Sequence, residues 1–246
     1  MQYPRSANSP FPISDIAMHD IDNSDDPELI VGWQGSGGVH GIGLDGKRRW
    51  TNQAAPGVIS IAAVKDESSG SDRRPILAAG ETGLLFLVDE EGRTLREVRL
   101  DQVVHKLVSW PGSAKGFAAL LSPNGLAVDG ATHMGVSTSA LGGRVFTGVD
   151  KDWKSIWTHS MPGGVYRHQV DFPQSISLPD VGPTWVIPGS DGSIHFVSAN
   201  GEFRDRFFVG KHLRGVATLP VGEAQALVYA TDEGVKAFKI AEKDAR

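Results

Sequence analysis

Residues 15–50 read DIAMHDIDNSDDPELIVGWQGSGGVHGIGLDGKRRW, and this stretch decides the fold. Short apolar runs with the composition of β-strands alternate in it with turns rich in Asp, Asn, Ser and Gly. Such turns between apolar runs are the strongest hairpin signal that a single sequence offers. The stretch therefore predicts four short antiparallel strands arranged as a meander. One meander cannot bury both of its faces alone, so we expect the pattern to recur along the chain.

The pattern does recur, and it predicts repeat units at about 14–55, 57–103, 104–163, 165–210 and 212–246 after an irregular lead-in at 1–13. A glycine marks the turn between the second and third predicted strands of every unit. These glycines are Gly38, Gly83, Gly143, Gly192 and Gly234, with spacings of 45, 60, 49 and 42 residues. Propeller blades repeat every ~40–50 residues, and the long third unit contains an insertion. We therefore predict an all-β protein, either a β-propeller of about five four-stranded blades forming a single domain or part of a larger propeller.

The strands within the units can also be predicted. The second strands ELIVGW, PILAAG, FAALLS, TWVIPG and ALVYAT are apolar on both faces, as expected of strands packed between neighbouring blades. In the fourth unit we expect a first strand over RHQVDF at 167–172 and a long loop over SISLPDVGP at 175–183. The fifth unit has no obvious fourth strand, because the charged AEKDAR follows its third one.

Two family resemblances support the same fold. The motif GGVHGIGLDGKRRW resembles the quinoprotein-type (PQQ-like) propeller repeat, in which a Gly-rich turn leads to a strand, an acidic-Gly turn and an outer strand carrying Trp. Trp50 and Trp157 hold that Trp position, and Val98 and Phe207 are expected to replace it in units two and four. The stretch DIDNSDDPELIVGW is similar to the acidic hairpin of FG-GAP and VCBS-type propeller repeats. The resemblances imply a propeller fold, as in WD-repeat-like proteins, and they leave the activity open.

Composition excludes several classes of protein. The 246 residues carry a net charge of −5, which argues against a nucleic-acid partner because such partners need a basic face. With no cysteine, the chain lacks a disulfide scaffold and a cysteine nucleophile. No stretch approaches the roughly 20 apolar residues of a membrane span. The first residues do not have the pattern of a signal peptide. The compartment stays open, and a monomer is expected.

An acidic loop is the clearest candidate for a metal site. Oxygen-bearing side chains alternate at Asp20, Asp22, Ser24, Asp26 and Glu28, and such side chains in a tight loop can converge on Ca²⁺. Ser24 stands where a carboxylate is usual, and Asp25 stands where a turn glycine is usual. The alternative is a solvated hairpin in which the carboxylates bond the loop's own backbone. One Ca²⁺ is the only cofactor that the sequence suggests.

A row of basic residues is the candidate binding site. Aligning the units on Pro111, Pro173 and Pro220 puts His105, Arg167 and Arg214 at matching positions near the start of the innermost strands, and His168 and Lys106 lie beside them. At one mouth of a propeller channel these groups could hold an anion or an acidic partner loop. The alternative is that they contact water or backbone carbonyls.

The most favoured function is that of a non-catalytic binding or scaffolding module for a protein or small-molecule partner. No histidine pair has metal spacing on a helix, and no nucleophile-elbow motif is present. Two alternatives remain. One is a propeller enzyme, a hydrolase or lyase with its site at the channel mouth. The other is a Ca²⁺-stabilised extracellular repeat module.

Overall fold

The computed structural model describes residues 11–64, 74–100, 103–109, 116–121, 144–150, 154–161, 173–178, 182–189, 191–210, 213–222 and 224–240. These residues form nineteen strands and one short 3₁₀ turn, Gly35–Gly37. The strands are β1 (Ile13–His19), β2 (Glu28–Trp33), β3 (Gly38–Ile42), β4 (Arg48–Asn52), β5 (Val58–Ala63), β6 (Ile76–Gly80), β7 (Leu84–Val88), β8 (Thr94–Arg99), β9 (Val104–Ser109), β10 (Gly116–Leu121), β11 (Arg144–Asp150), β12 (Ser155–Met161), β13 (Gln174–Leu178), β14 (Gly182–Pro188), β15 (Ser193–Ser198), β16 (Phe203–Phe208), β17 (Leu213–Val221), β18 (Ala224–Thr231) and β19 (Gly234–Ile240). The described part of the chain contains no helix with the length and hydropathy needed to cross a bilayer.

The strands form five sheets in chain order. Strands β1–β4, β5–β8, β9–β12 and β13–β16 make four-stranded sheets, and β17–β19 make a three-stranded one. Each strand lies next to its sequence neighbour, so every sheet is a meander. The arrangement of these antiparallel sheets is that of a β-propeller, and the prediction of this fold is confirmed. The chain divides into two compact units, Met1–Ser137 with Val149–Lys154 and Thr138–Gly148 with Ser155–Arg246. The boundaries predicted for the repeat units stay predictions.

The glycines that mark the repeat have the backbone geometry that the turns require. Gly38, Gly83, Gly192 and Gly234 have φ values of 74°, 77°, 85° and 126°, a region that favours glycine because it has no Cβ. The fifth marker, Gly143, lies outside the described residues. The turn before the fourth strand closes in the same way in three sheets, because Gly46, Gly92 and Gly201 each donate a backbone hydrogen bond three residues back. The two recurring turns are therefore features of the backbone.

Sheets pack face to face within each unit. In the first unit, apolar residues of the first and second sheets form one buried cluster that includes Ile30, Val39, Val58 and Phe86. In the second unit, a cluster around Ile176, Val186, Ile194 and Leu227 joins the fourth and fifth sheets. All five residues of β6 are buried, as the apolar second strands predict. Burial of apolar area between neighbouring meanders is the main stabilising contribution.

Trp50 and Trp157 pack between neighbouring sheets. Each is sandwiched between a glycine of its own third strand, Gly41 or Gly148, and the turn glycine of the next sheet, Gly92 or Gly201. A Cβ at Gly41 or Gly148 would overlap the indole ring. Both tryptophans therefore fill the wedge between outer strands, where only glycine lets the ring lie against the backbone.

The sequence misplaced the equivalents of these tryptophans in two other sheets. In the first sheet, Trp50 of the fourth strand pairs with Gly41 of the third strand. The residues at the equivalent position of the fourth strand are Arg96 in the second sheet and Asp205 in the fourth sheet. Val98 and Phe207, which were expected there, lie two residues further along. The same bulge follows the turn in all three strand pairs, so the equivalent position lies four residues after the turn glycine in each of them and is polar in the second and fourth sheets. Val98 still packs inward, and Phe207 contacts Tyr229 and Phe238.

The predicted loop at 175–183 is also partly wrong, because Gln174–Leu178 forms strand β13 and pairs with β14. Ile176 is buried in this strand, and one β-branched apolar residue between serines was too weak a signal to predict it. The expected strand at 167–172 lies outside the described residues. The described part of the last sheet has three strands, and the charged residues 241–246, for which no fourth strand was expected, lie outside the described residues.

Candidate functional site

The first strands of four sheets share a β-bulge near their start. Register shifts leave Ser14, Ile59, His105 and Arg214 as the extra residue of β1, β5, β9 and β17. A bulge adds one residue opposite a single partner and turns a side chain in a new direction. These four residues, which we call the bulge row, therefore occupy one equivalent position while differing in chemistry.

The predicted basic row coincides in part with the bulge row. His105 and Arg214 are both bulge residues. Arg214 is exposed, and its Nε donates a hydrogen bond to Asp232 Oδ1 at 2.6 Å. Arg167 and His168 lie outside the described residues. Pro173 precedes β13 whereas Pro220 lies inside β17, so the prolines do not mark equivalent positions.

The residue after each bulge builds a polar cluster in the first unit. Asp15, Ser60 and Lys106 each follow a bulge residue, and we call them the inner-strand node. Lys106 Nζ lies 2.8 Å from Asp15 Oδ2 and 3.0 Å from Oδ1. Ser60 Oγ donates to Asp15 Oδ2 at 2.8 Å and accepts from the backbone N–H of Leu107 at 3.1 Å. The node thus connects the first strands of three successive sheets.

The node is largely shielded from water. The side chains of Lys106 and Asp15 are only 18% and 14% exposed, and Ser60 is fully buried. The backbone N–H of Ile61 adds a further hydrogen bond to Asp15 Oδ2 at 2.9 Å. A carboxylate so well satisfied by a cation and neutral donors acts as a structural link between sheets. Sequence reasoning missed it, although aligning the units on the residue after Ser14, Ile59 and His105 would have found it.

The structure brings together three of the five predicted calcium ligands in the acidic loop. Ligand oxygens of Asp20, Asp22 and Glu28 lie within 4.8 Å of one another. Asp26 is not a member of this group, and its backbone N–H donates to Ser24 Oγ at 3.3 Å. The hydrogen bond from the Ser24 side chain is the main reason that the pKa of Asp22 is lowered. Burial, with the nearby Asp22 and Asp20 charges, raises the pKa of Glu28.

The same loop satisfies most of its own polar groups. The backbone N–H of Ser24 donates to both Asp20 and Asp22, and the backbone N–H of Asp25 donates to Asp20 Oδ2 at 3.1 Å. Asn23 and Asp25 have φ values of 62° and 66°, a region that Asn and Asp tolerate in turns. Such contacts are expected of the alternative to a metal site, a solvated hairpin whose carboxylates accept hydrogen bonds from the loop's own backbone. The calcium site stays a prediction.

A histidine pair links two strands of the second unit. His159 Nε2 of β12 and His195 Nδ1 of β15 lie 2.8 Å apart, in hydrogen-bonding contact, and Phe203 stacks on His159. His195 is 5% exposed, and its Nε2 has no hydrogen-bond partner within the described residues. Burial lowers the pKa of both histidines. For His195, His159 and Arg206 lower the pKa further, while Asp191 opposes them.

Acidification is expected to destabilise the protein below about pH 6.5, the ordinary pKa of histidine. Burial is the first cause of a lowered pKa for His19, His40, His159 and His195. Between the folded and unfolded pKa values the unfolded chain binds more protons, so the free energy of unfolding falls as the pH falls. Urea midpoints at pH 8 and pH 5.5 measure this.

His195→Asn should reduce the pH dependence without abolishing it, because His19 and His40 still titrate. Its control is the unchanged slope of unfolding free energy against urea concentration, which shows that the same surface is exposed on unfolding. A wild-type midpoint that stays level or rises on acidification would contradict the prediction.

Comparison with known proteins places the fold. No protein-family profile and no curated protein sequence matches the chain. Solved structures do. The propeller BBS1N, crystallised in complex with ARL6DN, aligns with a TM-score of 0.66 and 13% identity over 97% of this chain and 68% of that one. Sqt1 of Saccharomyces cerevisiae aligns with a TM-score of 0.61 and 14% sequence identity, over 93% of this chain and 59% of Sqt1.

A protein of unknown function from Bacteroides caccae aligns with a TM-score of 0.52 and 13% identity over 89% of this chain and 70% of that one. The chain therefore spans about 59–70% of the length of these structures. BBS1 and Sqt1 are β-propeller proteins, and this chain has the same fold. At such low identity the likeness concerns the fold alone, and the PQQ-like type of the repeat stays a prediction.

Proposed function

We propose that this chain is a non-catalytic, protein-binding propeller module that recognises its partner through Arg214, the exposed bulge residue of the last sheet. The observation that carries the proposal is that Arg214 is the extra residue of the bulge in β17, is exposed and pairs with Asp232. A bulge redirects a side chain on a rigid strand and is therefore suited to presenting a recognition residue.

The charged member of the row has the features of a recognition residue. Arg214 is exposed and held by Asp232, so its guanidinium is oriented before a partner arrives. Preorganised arginine is well suited to carboxylates because its planar donors match their geometry. An acidic segment of a partner protein is therefore the favoured ligand. The complex of the propeller BBS1N with ARL6DN is an example of a protein with this fold that binds another protein.

Alanine substitution tests the proposal. The variant Arg214→Ala should lose at least about tenfold in affinity for a partner captured by the wild-type chain and then purified, since a hydrogen bond to a charged group contributes about 1.5–3 kcal/mol. Titration calorimetry with that partner gives the affinity.

Arg204→Ala is the matched control, because Arg204 is also exposed and also forms a 2.6 Å ion pair, with Glu202. It should bind like the wild type. Equal affinity of Arg214→Ala and the control would remove Arg214 as the recognition residue. The enzyme and the calcium-stabilised module stay alternative predictions.

A further inference from the structure

The outer edge of the last sheet differs from the corresponding position in the other sheets. Third strands β3, β7 and β15 each lie between a second and a fourth strand and are mostly buried. Strand β19 pairs with β18, and among the described residues no strand covers its other edge. Six of its seven residues are exposed. This edge offers a row of backbone N–H and C=O groups to a further strand.

Strand β19 carries apolar side chains that are exposed to solvent. Val235 is 71% exposed and Phe238 is 45% exposed. Phe238 already belongs to an aromatic cluster with Tyr229 and Phe207, whose ring centroids lie 5.6 Å from its own. A strand added at this edge would bury Val235 and extend the cluster over Phe238.

The charge of β19 indicates which kind of strand would bind at its free edge. Strand β19 carries Lys236 and Lys239 and no acidic residue. A second copy does not satisfy these lysines, because a fully overlapping antiparallel pair of β19 strands sets Lys236 opposite Phe238 and Lys239 opposite Val235. A lysine opposite an apolar side chain gains no ion pair, whereas opposite charges that face each other stabilise a strand pair. The favourable occupant carries carboxylates at both positions.

We propose that β19 is a docking edge for an extended acidic segment of a partner protein, which adds as an antiparallel fourth strand with acidic residues opposite Lys236 and Lys239 and apolar residues opposite Val235 and Phe238. Main-chain hydrogen bonds supply affinity in this binding mode and the alternating side chains supply specificity. The inference deepens the proposed function, since it requires a protein partner, but it concerns a surface other than the bulge row.

The test uses two blocked peptides and a charge reversal. One peptide has glutamates three positions apart among valines, with threonine at each end, and the other has lysines in place of the glutamates. The wild-type chain should bind the glutamate peptide at least about tenfold more tightly than the lysine peptide by fluorescence anisotropy. The double variant Lys236→Glu with Lys239→Glu should reverse this preference.

The matched control is Lys47→Glu with Arg49→Glu, the same charge change on exposed residues of the first sheet. It should keep the wild-type preference, which separates pairing at β19 from a general charge effect. Absence of binding by either peptide, or a preference that the charge reversal leaves unchanged, overturns the proposal. Sedimentation that shows a wild-type dimer dissolved by the reversal also overturns it, because the occupant is then a second copy. If the peptides do not bind at β19 but partner affinity still depends on Arg214, the docking edge is wrong and the proposed function stands.

Discussion

Trp50→Ala is expected to lower the free energy of unfolding by about 3–5 kcal/mol, the usual cost of emptying a buried aromatic site. The ring lies between Gly41 of its own sheet and Gly92 of the next, where Cε3 is 2.8 Å from the position of a Cβ on Gly92. Removing the indole therefore opens a cavity between two sheets and cannot be compensated by a small side-chain movement. Urea denaturation followed by circular dichroism measures the loss.

The glycine is the other half of this contact. Gly41→Ala should cost about 1–3 kcal/mol in the wild type, because the new methyl overlaps the ring, and much less in the Trp50→Ala background. Gly215→Ala is the control, since a Cβ there meets nothing within 4 Å and its backbone needs no positive φ. If Gly41→Ala and Gly215→Ala have equal effects, the tryptophan does not require the glycine.

Lys106→Met is expected to lower the free energy of unfolding by about 3 kcal/mol, because it leaves the Asp15 carboxylate buried without its cation. Ser60 Oγ and the backbone N–H of Ile61 remain bonded to the carboxylate, so the effect should lie at the lower end of the range for a broken buried pair. The urea midpoint should fall while the slope of unfolding free energy against urea concentration stays the same.

The control for Lys106→Met is Lys47→Met. Lys47 also pairs with an aspartate, Asp45, at 3.6 Å, but its side chain is exposed, and exposed pairs contribute about 0–1 kcal/mol. Combining Asp15→Asn with Lys106→Met should cost less than the two single substitutions added together, because no charge is then left buried. Strict additivity would show that the two groups do not stabilise each other.

Much of the architecture could be predicted from local signals. The turns at Gly38, Gly83 and Gly192 follow from a few adjacent residues, and so do the apolar second strands between them. Strand β13 was missed because its signal is not local: Ile176 is buried by the fifth sheet, against Leu213 and Val216. A short strand with one apolar residue becomes a strand through such packing.

The candidate site was predicted less well than the fold. His105 and Arg214 were correctly matched to each other, because both occur at the second position of a first strand. Asp15, Ser60 and Lys106 were not recognised as a cluster, since 45 residues separate Asp15 from Ser60 and 91 separate Asp15 from Lys106. Their meeting depends on bulges that shift the register by one residue, and a shift of one residue moves side chains to the other face.

The sequence by itself determined that the chain folds as successive β-meanders, because turn conformation depends on glycine and Asx residues next to one another in the chain. Only the tertiary structure decided which side chains meet across the sheets. It places Trp50 against Gly92, Asp15 against Lys106 and His159 against His195. Such contacts depend on strand register and sheet packing, which are set by the burial of whole faces and not by any short stretch of residues.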